Sequence, residues 1–313
     1  MKRPLGPGAP DVFPIGFGAM ALSEEGRPAE SDAIRVIHAV LDAGVTLIDT
    51  SNVYGSHDAE IGHNERLIAK ALSQWGGDRD GIVVATKGGR TRTNREWTVD
   101  ARPSELRRAC ERSLVALGVD TIDLYQLNTP DPAVPFLESV GALVDLHREG
   151  KVRWIGVSNV DIEQIDAARA LGPVITVQNQ LNPVFQGAIK DGIVGHCADQ
   201  GMGFLCWRPV GGWRLPELGR HRVLRRIAAR HGISPHAVAL AWSLAKGATV
   251  IPIPSARRIE HALDSVSAAH VTLDPSEVKA IDSAWFWRPV KLKMRGRVDW
   301  YMQRLRMSIG TDH

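Results

Sequence analysis

Residues 137–159 read LESVGALVDLHREGKVRWIGVSN, and this stretch contains a predicted helix, a predicted strand and the join between them. Apolar residues recur at helical spacing over Leu137–Arg148, and Gly150 follows the last turn, where a left-handed residue is favoured. Trp154–Val157 is then a short apolar run that ends in the polar pair Ser158-Asn159. The stretch therefore predicts one unit of α/β structure with polar groups at the carboxyl end of its strand.

The same alternation of short strands and longer helices continues along most of the chain. Strands are predicted at Val12–Phe17, Leu47–Thr50, Ile82–Thr86, Ile122–Leu127, Trp154–Val157, Val174–Gln178, Gly203–Trp207 and Thr249–Ile251. Helices are predicted at Ser31–Ala43, Asn64–Trp75, Pro103–Leu117, Leu137–Arg148, Ile162–Ala170, Leu218–Arg230 and Pro235–Lys246. Eight strands with helical crossovers and no break in composition favour a single (β/α)8 TIM barrel over residues 1–284, rather than two doubly wound halves.

The composition is that of an ordinary folded protein. Of 313 residues, 44% are hydrophobic and 23% charged, which disfavours disordered, collagen-like and coiled-coil classes. No apolar run approaches the roughly 18 residues of a membrane span, and Met1-Lys2-Arg3-Pro4 leads into Gly/Pro-rich sequence. The expected location is therefore the cytoplasm, with no membrane partner. The three cysteines lack the spacing of a zinc site or a disulfide framework.

The chain ends in a basic, aromatic extension, residues 285–313. Seven basic residues and one acidic residue lie between Trp285 and Arg306, although the formal net charge of the whole chain is only +3. Such a mixture is found in nucleic-acid or membrane-surface sites. However, Val298, Met302, Leu305 and Ile309 fall on one helical stripe. The favoured interpretation is an amphipathic helix that packs on the barrel or on a second subunit of a homo-oligomer, with no nucleic-acid partner.

Polar residues recur at the carboxyl ends of successive predicted strands. They are Asp49 after the second strand, Lys87 after the third, Asn128 after the fourth, Ser158 and Asn159 after the fifth, and Gln178 after the sixth. In a (β/α)8 barrel these ends meet at one mouth, where the chemistry of such enzymes takes place. Each residue alone has a structural explanation, such as a loop cap or a solvated charge. Their recurrence predicts an active site.

From Phe17-Gly18 to Ala284, the chain resembles the aldo-keto reductase superfamily. The motifs that carry the resemblance are Leu47-Ile-Asp-Thr-Ser-Asn-Val-Tyr54-Gly55, Thr86-Lys87-Gly88-Gly89, Gly150-Lys-Val-Arg-Trp-Ile-Gly-Val-Ser158-Asn159, Val177-Gln178-Asn179 and Ile251-Pro-Ile-Pro-Ser255. The resemblance implies a barrel that binds NADPH/NADP+ without a Rossmann domain. It also implies an oxidoreductase whose partner is a small-molecule carbonyl compound or alcohol.

The implied catalytic residues are Tyr54, Lys87, Asp49 and Asn128. Hydride transfer to a carbonyl carbon creates an alkoxide, which needs a positioned proton donor. Tyr54 would donate the proton, the neighbouring ammonium of Lys87 would favour the ionised phenol, and Asp49 would hold Lys87 in place.

Asn128 departs from the family pattern. Where the family usually has Tyr-Gln-Leu-His, this chain reads Tyr125-Gln126-Leu127-Asn128. An amide can orient a carbonyl group by a hydrogen bond, but it cannot change its charge as an imidazole does. Three alternatives follow: a slow reductase, an enzyme with a special substrate or the oxidative direction, or a cofactor-bound regulatory subunit. The last resembles the potassium-channel β subunits of the superfamily, which carry an amide at the matching position.

The resemblance also assigns residues to the cofactor. Ser158, Asn159 and Gln178 would bind the nicotinamide carboxamide, Trp207 would stack on the nicotinamide ring, and the loop with Arg208 and Gly211 would follow the pyrophosphate. Ser255, Arg257, Arg258 and His261 would surround the adenosine 2′-phosphate, which favours NADPH over NADH.

Two other motifs are set aside. Gly16–Ala21 matches GxGxxA, but no helix is predicted directly after it, so it does not predict a Rossmann turn. His57, Asp58, Glu60 and His63 crowd one segment, but their spacing matches no helical zinc motif, so no metal site is predicted.

The segment Arg90–Ala101 is interpreted as a loop lining the substrate pocket.

Overall fold

A computed structural model describes residues 2–93, 96–212 and 215–286 of the chain. Its strands are β1 (Arg3–Pro4), β2 (Asp11–Val12), β3 (Phe17–Gly18), β4 (Leu47–Asp49), β5 (Val83–Gly88), β6 (Arg90–Thr93), β7 (Glu96–Val99), β8 (Ile122–Leu127), β9 (Val152–Ser158), β10 (Val174–Gln180), β11 (Gly203–Trp207) and β12 (Val250–Pro252). Its helices are α1 (Glu30–Asp42), α2 (His63–Gln74), α3 (Pro103–Leu117), α4 (Phe136–Arg148), α5 (Ile162–Leu171), α6 (Gly187–Lys190), α7 (Ile193–Asp199), α8 (Leu215–Arg220), α9 (Arg222–His231), α10 (Pro235–Leu244), α11 (Ile259–Ser267) and α12 (Pro275–Asp282).

Eight of the strands form one parallel sheet in the order β12-β11-β10-β9-β8-β5-β4-β3. Two backbone hydrogen bonds join its first and last strands, from Gly16 N to Pro252 O at 2.9 Å and from Gly18 N to Pro254 O at 2.8 Å. A Cβ at Gly18 would lie 2.7 Å from the Ile253 carbonyl oxygen, so this closure requires glycine. The predicted (β/α)8 barrel is confirmed, and Gly16 and Gly18 belong to its seam.

The prediction of one strand over Val12–Phe17 is wrong. The segment divides into β2, which pairs antiparallel with β1, and β3, which is the first barrel strand. Leu5 and Val12 of the hairpin are buried in the cluster that contains Leu47 and Leu205, and Gly203 at the start of β11 donates to the Leu5 carbonyl at 3.0 Å. The hairpin therefore covers the amino ends of the barrel strands. The carboxyl ends are left for an active site.

Most of the predicted helices are confirmed to within about two residues. Pro103 occupies the first turn of α3, and Gly118 ends that helix with a left-handed φ of +67°. The single helix predicted over Leu218–Arg230 is wrong, because α8 and α9 are separated at His221, whose backbone is extended. The His221 ring packs 4.2 Å from that of Phe286, so the chain after α12 contacts this break.

The predicted C-terminal extension lies mostly outside the described residues. Trp285 is 75% exposed, Phe286 is buried, and residues 287–313 are not described, so the boundary at residue 284 and the packing of the tail remain predictions. Within the described ranges, no helix combines the length and the apolar character that crossing a membrane requires.

Candidate active site

The polar residues predicted at the strand ends are brought to the carboxyl end of the barrel. Asp49 is the last residue of β4, Lys87 is next to last in β5, and Ser158 is the last residue of β9. Asn128 directly follows β8, and its N–H donates to the Gly88 carbonyl at 2.8 Å. Because the strands are parallel and neighbouring, these side chains share one mouth.

A buried ion pair forms the base of the site. Lys87 Nζ donates to both carboxylate oxygens of Asp49, at 2.7 and 2.6 Å, and to the Thr50 carbonyl at 2.8 Å. The two side chains are only 2% and 3% exposed. Burial by itself would lower the pKa of Lys87, but Asp49 and, to a lesser degree, Tyr54 raise it above its ordinary value. Lys87 is therefore a fixed cation at neutral pH.

Tyr54 lies above this pair in the segment that follows β4. Lys87 Nζ is 5.5 Å from the centroid of the Tyr54 ring. Desolvation raises the pKa of Tyr54, and the opposing attraction of Lys87 is too small to cancel it. The charge of Lys87 favours the ionised phenol, in the predicted direction, but burial outweighs it. The phenol keeps its proton at neutral pH and can donate it.

Asn128 presents an amide with no hydrogen bond of its own. Its backbone carbonyl accepts from Asn159 Nδ2 at 2.8 Å, whereas no side-chain partner is found for Asn128 within the described part of the chain. The residue is 9% exposed. The amide is therefore free to donate its N–H to a ligand oxygen.

A network of amides also surrounds the Asp49 carboxylate. Gln178 Nε2 donates to Asp49 Oδ1 at 2.8 Å, and Gln126 Nε2 approaches the same oxygen at 3.4 Å. Because the Gln178 amide nitrogen faces a carboxylate, its Oε1 is the atom left to accept a hydrogen bond from a ligand. Gln126 was missed by the sequence reasoning. The alternation along β8, which places residues 126 and 128 on one face, is the signal that could have found it.

Asn159 connects three strand ends. It adopts a left-handed φ of +61°, which asparagine tolerates better than most residues. Its N–H donates to the Gln178 carbonyl at 3.1 Å and to Asn179 Oδ1 at 2.7 Å, and its Oδ1 accepts from Trp207 Nε1 at 3.1 Å. The orientation of the Trp207 indole is thus fixed by the predicted carboxamide-binding residue.

The loop after β11 turns sharply at Arg208, the other non-glycine residue with positive φ among those described, at +50°. Its carbonyl accepts from Asn182 Nδ2 at 2.9 Å and from Gly211 N at 3.0 Å, which stabilises this strained backbone. The Arg208 guanidinium lies 5.3 Å from the centroid of the Trp207 ring. Arg208 therefore reaches back over the predicted nicotinamide platform.

The predicted 2′-phosphate residues lie together at the start of α11. Ser255 Oγ accepts from Ala21 N at 3.0 Å, and Arg257 donates to the carbonyls of Ala21 and Glu25 at 3.3 and 2.7 Å. Arg258 pairs with Glu260 at 3.1 Å and contacts His261. Arg258 is also the residue preceding α11, and its side chain does not cap the helix. The first N–H groups of α11 remain available to an anion.

The segment predicted as a pocket loop contains a hairpin, β6 and β7. Its Trp97 packs edge-on against Tyr54, with the ring centroids 6.1 Å apart. Arg92 stacks on Trp97 at 4.6 Å, donates to both oxygens of Glu24 at 2.8 and 2.9 Å and to the Val53 carbonyl at 3.1 Å. The hairpin is therefore held beside Tyr54 by a buried arginine. The alternation of residue types in residues 90–99 is the pattern that could have predicted these two strands.

Two of the four residues set aside as a metal cluster, Glu60 and His63, contact residues outside the cluster. Glu60 accepts from Arg27 at 2.7 and 2.8 Å, and His63 Nδ1 lies 2.8 Å from Ser23 Oγ. No group of three or more metal-ligating side chains occurs among the described residues.

Comparison with known proteins gives consistent results. Residues 14–285 match the model of the aldo/keto reductase family. An uncharacterized oxidoreductase of Schizosaccharomyces pombe is 32% identical over 271 residues, covering 85% of this chain and 84% of the relative. A glycerol dehydrogenase of Gluconobacter oxydans superposes with a TM-score of 0.78 at 29% identity, over 90% of this chain and 94% of that one. An aldo/keto reductase of Klebsiella pneumoniae, in complex with NADP and acetate, superposes with a TM-score of 0.76 at 27% identity and the same coverage.

Proposed function

Because the chain belongs to the aldo/keto reductase family, and is thus an oxidoreductase acting on carbonyl compounds, we propose that it uses NADPH to reduce a small aldehyde or ketone, or NADP+ for the reverse. Tyr54 donates the proton in the reductive direction. Bound NADPH supplies the hydride. The side chains of the protein orient the substrate and transfer the proton.

The observation that carries this proposal is the Tyr54, Lys87 and Asp49 arrangement. The Lys87 ammonium, 5.5 Å from the Tyr54 ring, attracts the phenolate that forms when the proton leaves. Asp49 neutralises Lys87 at rest and fixes its position through two short hydrogen bonds. Since these charges are held in place by the barrel, little reorganisation is needed as the proton moves.

The residues available for the cofactor fit a dinucleotide. Gln178 Oε1 and the Ser158 and Asn159 side chains offer hydrogen bonds to a carboxamide, and the Trp207 indole offers a flat surface to a ring. The uncapped start of α11, with Arg257 and Arg258 beside it, suits the 2′-phosphate of NADP(H). The loop with Arg208 and Gly211 would follow the pyrophosphate.

Asn128 favours a second candidate function. An amide orients a carbonyl oxygen but supplies no proton, so the chain could bind NADPH as a regulatory subunit and turn over slowly. The unpartnered amide is equally suited to a reductase, since it can donate to the substrate oxygen. Turnover distinguishes the two functions.

Replacement of Asn128 by His should raise kcat for simple aldehydes by about 10²-fold, the lower end of what a positioned acid–base group contributes. Asn128→Ala should lower kcat instead, because the donor to the substrate oxygen is lost. The measurement is the rate of NADPH oxidation by a panel of aldehydes and ketones, beside the Kd for NADPH.

Tight NADPH binding with no oxidation by any member of the panel, in the wild type and in Asn128→His alike, would favour the regulatory subunit. Measurable turnover that Asn128→His lowers would mean that the amide is matched to a particular substrate.

A further inference from the structure

A second arginine of the β6–β7 hairpin lies beside Tyr54 and forms no ion pair with a described acidic residue. Arg90 is the first residue of β6, and its guanidinium is 5.7 Å from the centroid of Trp97, the ring that packs against Tyr54. Its Nε is fully buried and has no hydrogen-bond partner among the described residues. No carboxylate in those ranges forms an ion pair with it.

Arg92, on the same hairpin, is an arginine with a structural role and serves as the comparison for Arg90. It stacks on the same indole, but its guanidinium is occupied by the Glu24 carboxylate at 2.8 Å and by the Val53 carbonyl. Buried guanidinium nitrogens are normally hydrogen-bonded, because leaving one unpaired forfeits the hydration it had in water. Arg90 Nε has no such partner among the described residues, so it is available to hydrogen-bond a bound anion.

Arg208 adds a second cation at the same place. Burial is the main reason that the pKa of Arg90 is lowered; Tyr54 opposes this shift and the charge of Arg208 adds to it. The pKa of Arg208 is likewise lowered by burial and opposed by Tyr54. Arg208 belongs to the loop assigned to the pyrophosphate, so Arg90 is, of the two, the arginine available to a substrate group. Lys87 is neutralised by Asp49 and Arg92 by Glu24, whereas Arg90 forms no ion pair with a described residue.

We infer that Arg90 binds a negatively charged group of the carbonyl substrate, a carboxylate or a phosphate. The inference rests on the proposed function and narrows it to carbonyl compounds that carry an anionic substituent. A planar guanidinium stacked on Trp97 is restrained and can donate two parallel hydrogen bonds to such a group. The anion would also accept a hydrogen bond from the buried Nε.

The test compares matched substrate pairs with NADPH: 4-carboxybenzaldehyde against benzaldehyde, and the phosphate ester of glyceraldehyde against glyceraldehyde. The wild type should prefer the anionic member of at least one pair in kcat/KM. Arg90→Met should reduce that preference by roughly 10- to 100-fold, the usual effect of removing a hydrogen bond to a charged group. Arg90→Lys should restore part of it, and the loss should appear in KM.

The control is Arg148→Gln, which removes an exposed arginine on α4 and should leave the preference unchanged. A general loss of structure would lower kcat/KM for both aldehydes of a pair, so it cancels in their ratio. The inference is overturned if the neutral and anionic members react equally well, or if Arg90→Met raises the Kd for NADPH without changing the preference, which would assign Arg90 to the cofactor.

Failure of every aldehyde, neutral members included, would instead contradict the proposed function. In that case, benzoate titrated calorimetrically into the NADP+-saturated protein should still bind more weakly to Arg90→Met, and equal affinities would overturn the inference.

Discussion

Replacement of Tyr54 by Phe should lower kcat for carbonyl reduction by about 10²–10⁴, because the substitution removes the proton donor and little else. The ring that packs against Trp97 is retained, so the Kd for NADPH should change little. Steady-state rates with saturating NADPH, beside direct titration of the cofactor, measure the two effects separately.

Tyr125→Phe is the matched control for Tyr54→Phe. The Tyr125 hydroxyl is buried and donates to the Leu106 carbonyl of α3 at 3.3 Å. Its removal should cost about 1 kcal/mol of stability and leave kcat unchanged. If Tyr54→Phe kept a rate within threefold of the wild type, roughly a 0.7 kcal/mol effect, another group would be the donor.

The pH profile gives a further check on Tyr54. Since burial raises the pKa of the phenol above its ordinary value, Tyr54 stays protonated throughout the neutral range. Reduction limited by this donor should be independent of pH there and should fall only at alkaline pH, as the phenol ionises. A decrease centred near neutrality would indicate that a different group donates the proton.

Lys87→Met should lower the free energy of unfolding by about 3–5 kcal/mol and also remove most of the activity. The substitution leaves the Asp49 carboxylate buried with only amide donors and no cation, and breaking a buried pair from one side costs this much. Urea denaturation measures the change.

Two comparisons isolate the cause of that loss. Lys70→Met removes the lysine of an exposed pair with Glu30 and should have a far smaller effect. Adding Asp49→Asn to Lys87→Met should recover part of the lost stability, because the uncompensated charge is then gone. A double variant no more stable than Lys87→Met alone would mean that packing, rather than charge, causes the loss.

The barrel and most of its polar mouth could be predicted from the sequence, because both depend on local patterns. A parallel strand needs an apolar run, and the polar residue that ends it, such as Asp49 or Ser158, marks the carboxyl end of the barrel. Seven of the eight predicted strands coincide with strands of the barrel. The prediction of the first strand failed because Val12 and Phe17 are both apolar and close in sequence, although one belongs to a hairpin and the other to the barrel.

What the sequence could not supply is the pairing between distant side chains. Nothing in the pattern of residues 90–99 distinguishes Arg92, which binds Glu24, from Arg90, whose Nε has no partner in the described part of the chain. Likewise, the pKa of Tyr54 depends on a balance between burial and Lys87 that only a three-dimensional arrangement sets. The left-handed backbone of Arg208 is stabilised by Asn182 and Gly211, so its own residue type does not predict it.

The central claim, hydride transfer from NADPH bound at one fixed orientation, is tested most directly with cofactor deuterated at nicotinamide C4 on one face or on the other. The alcohol formed from an aldehyde would be examined by mass spectrometry. The account predicts that deuterium reaches the product from one of the two labelled cofactors and not from the other. Alcohol without deuterium from either cofactor, or with deuterium from both, would contradict it.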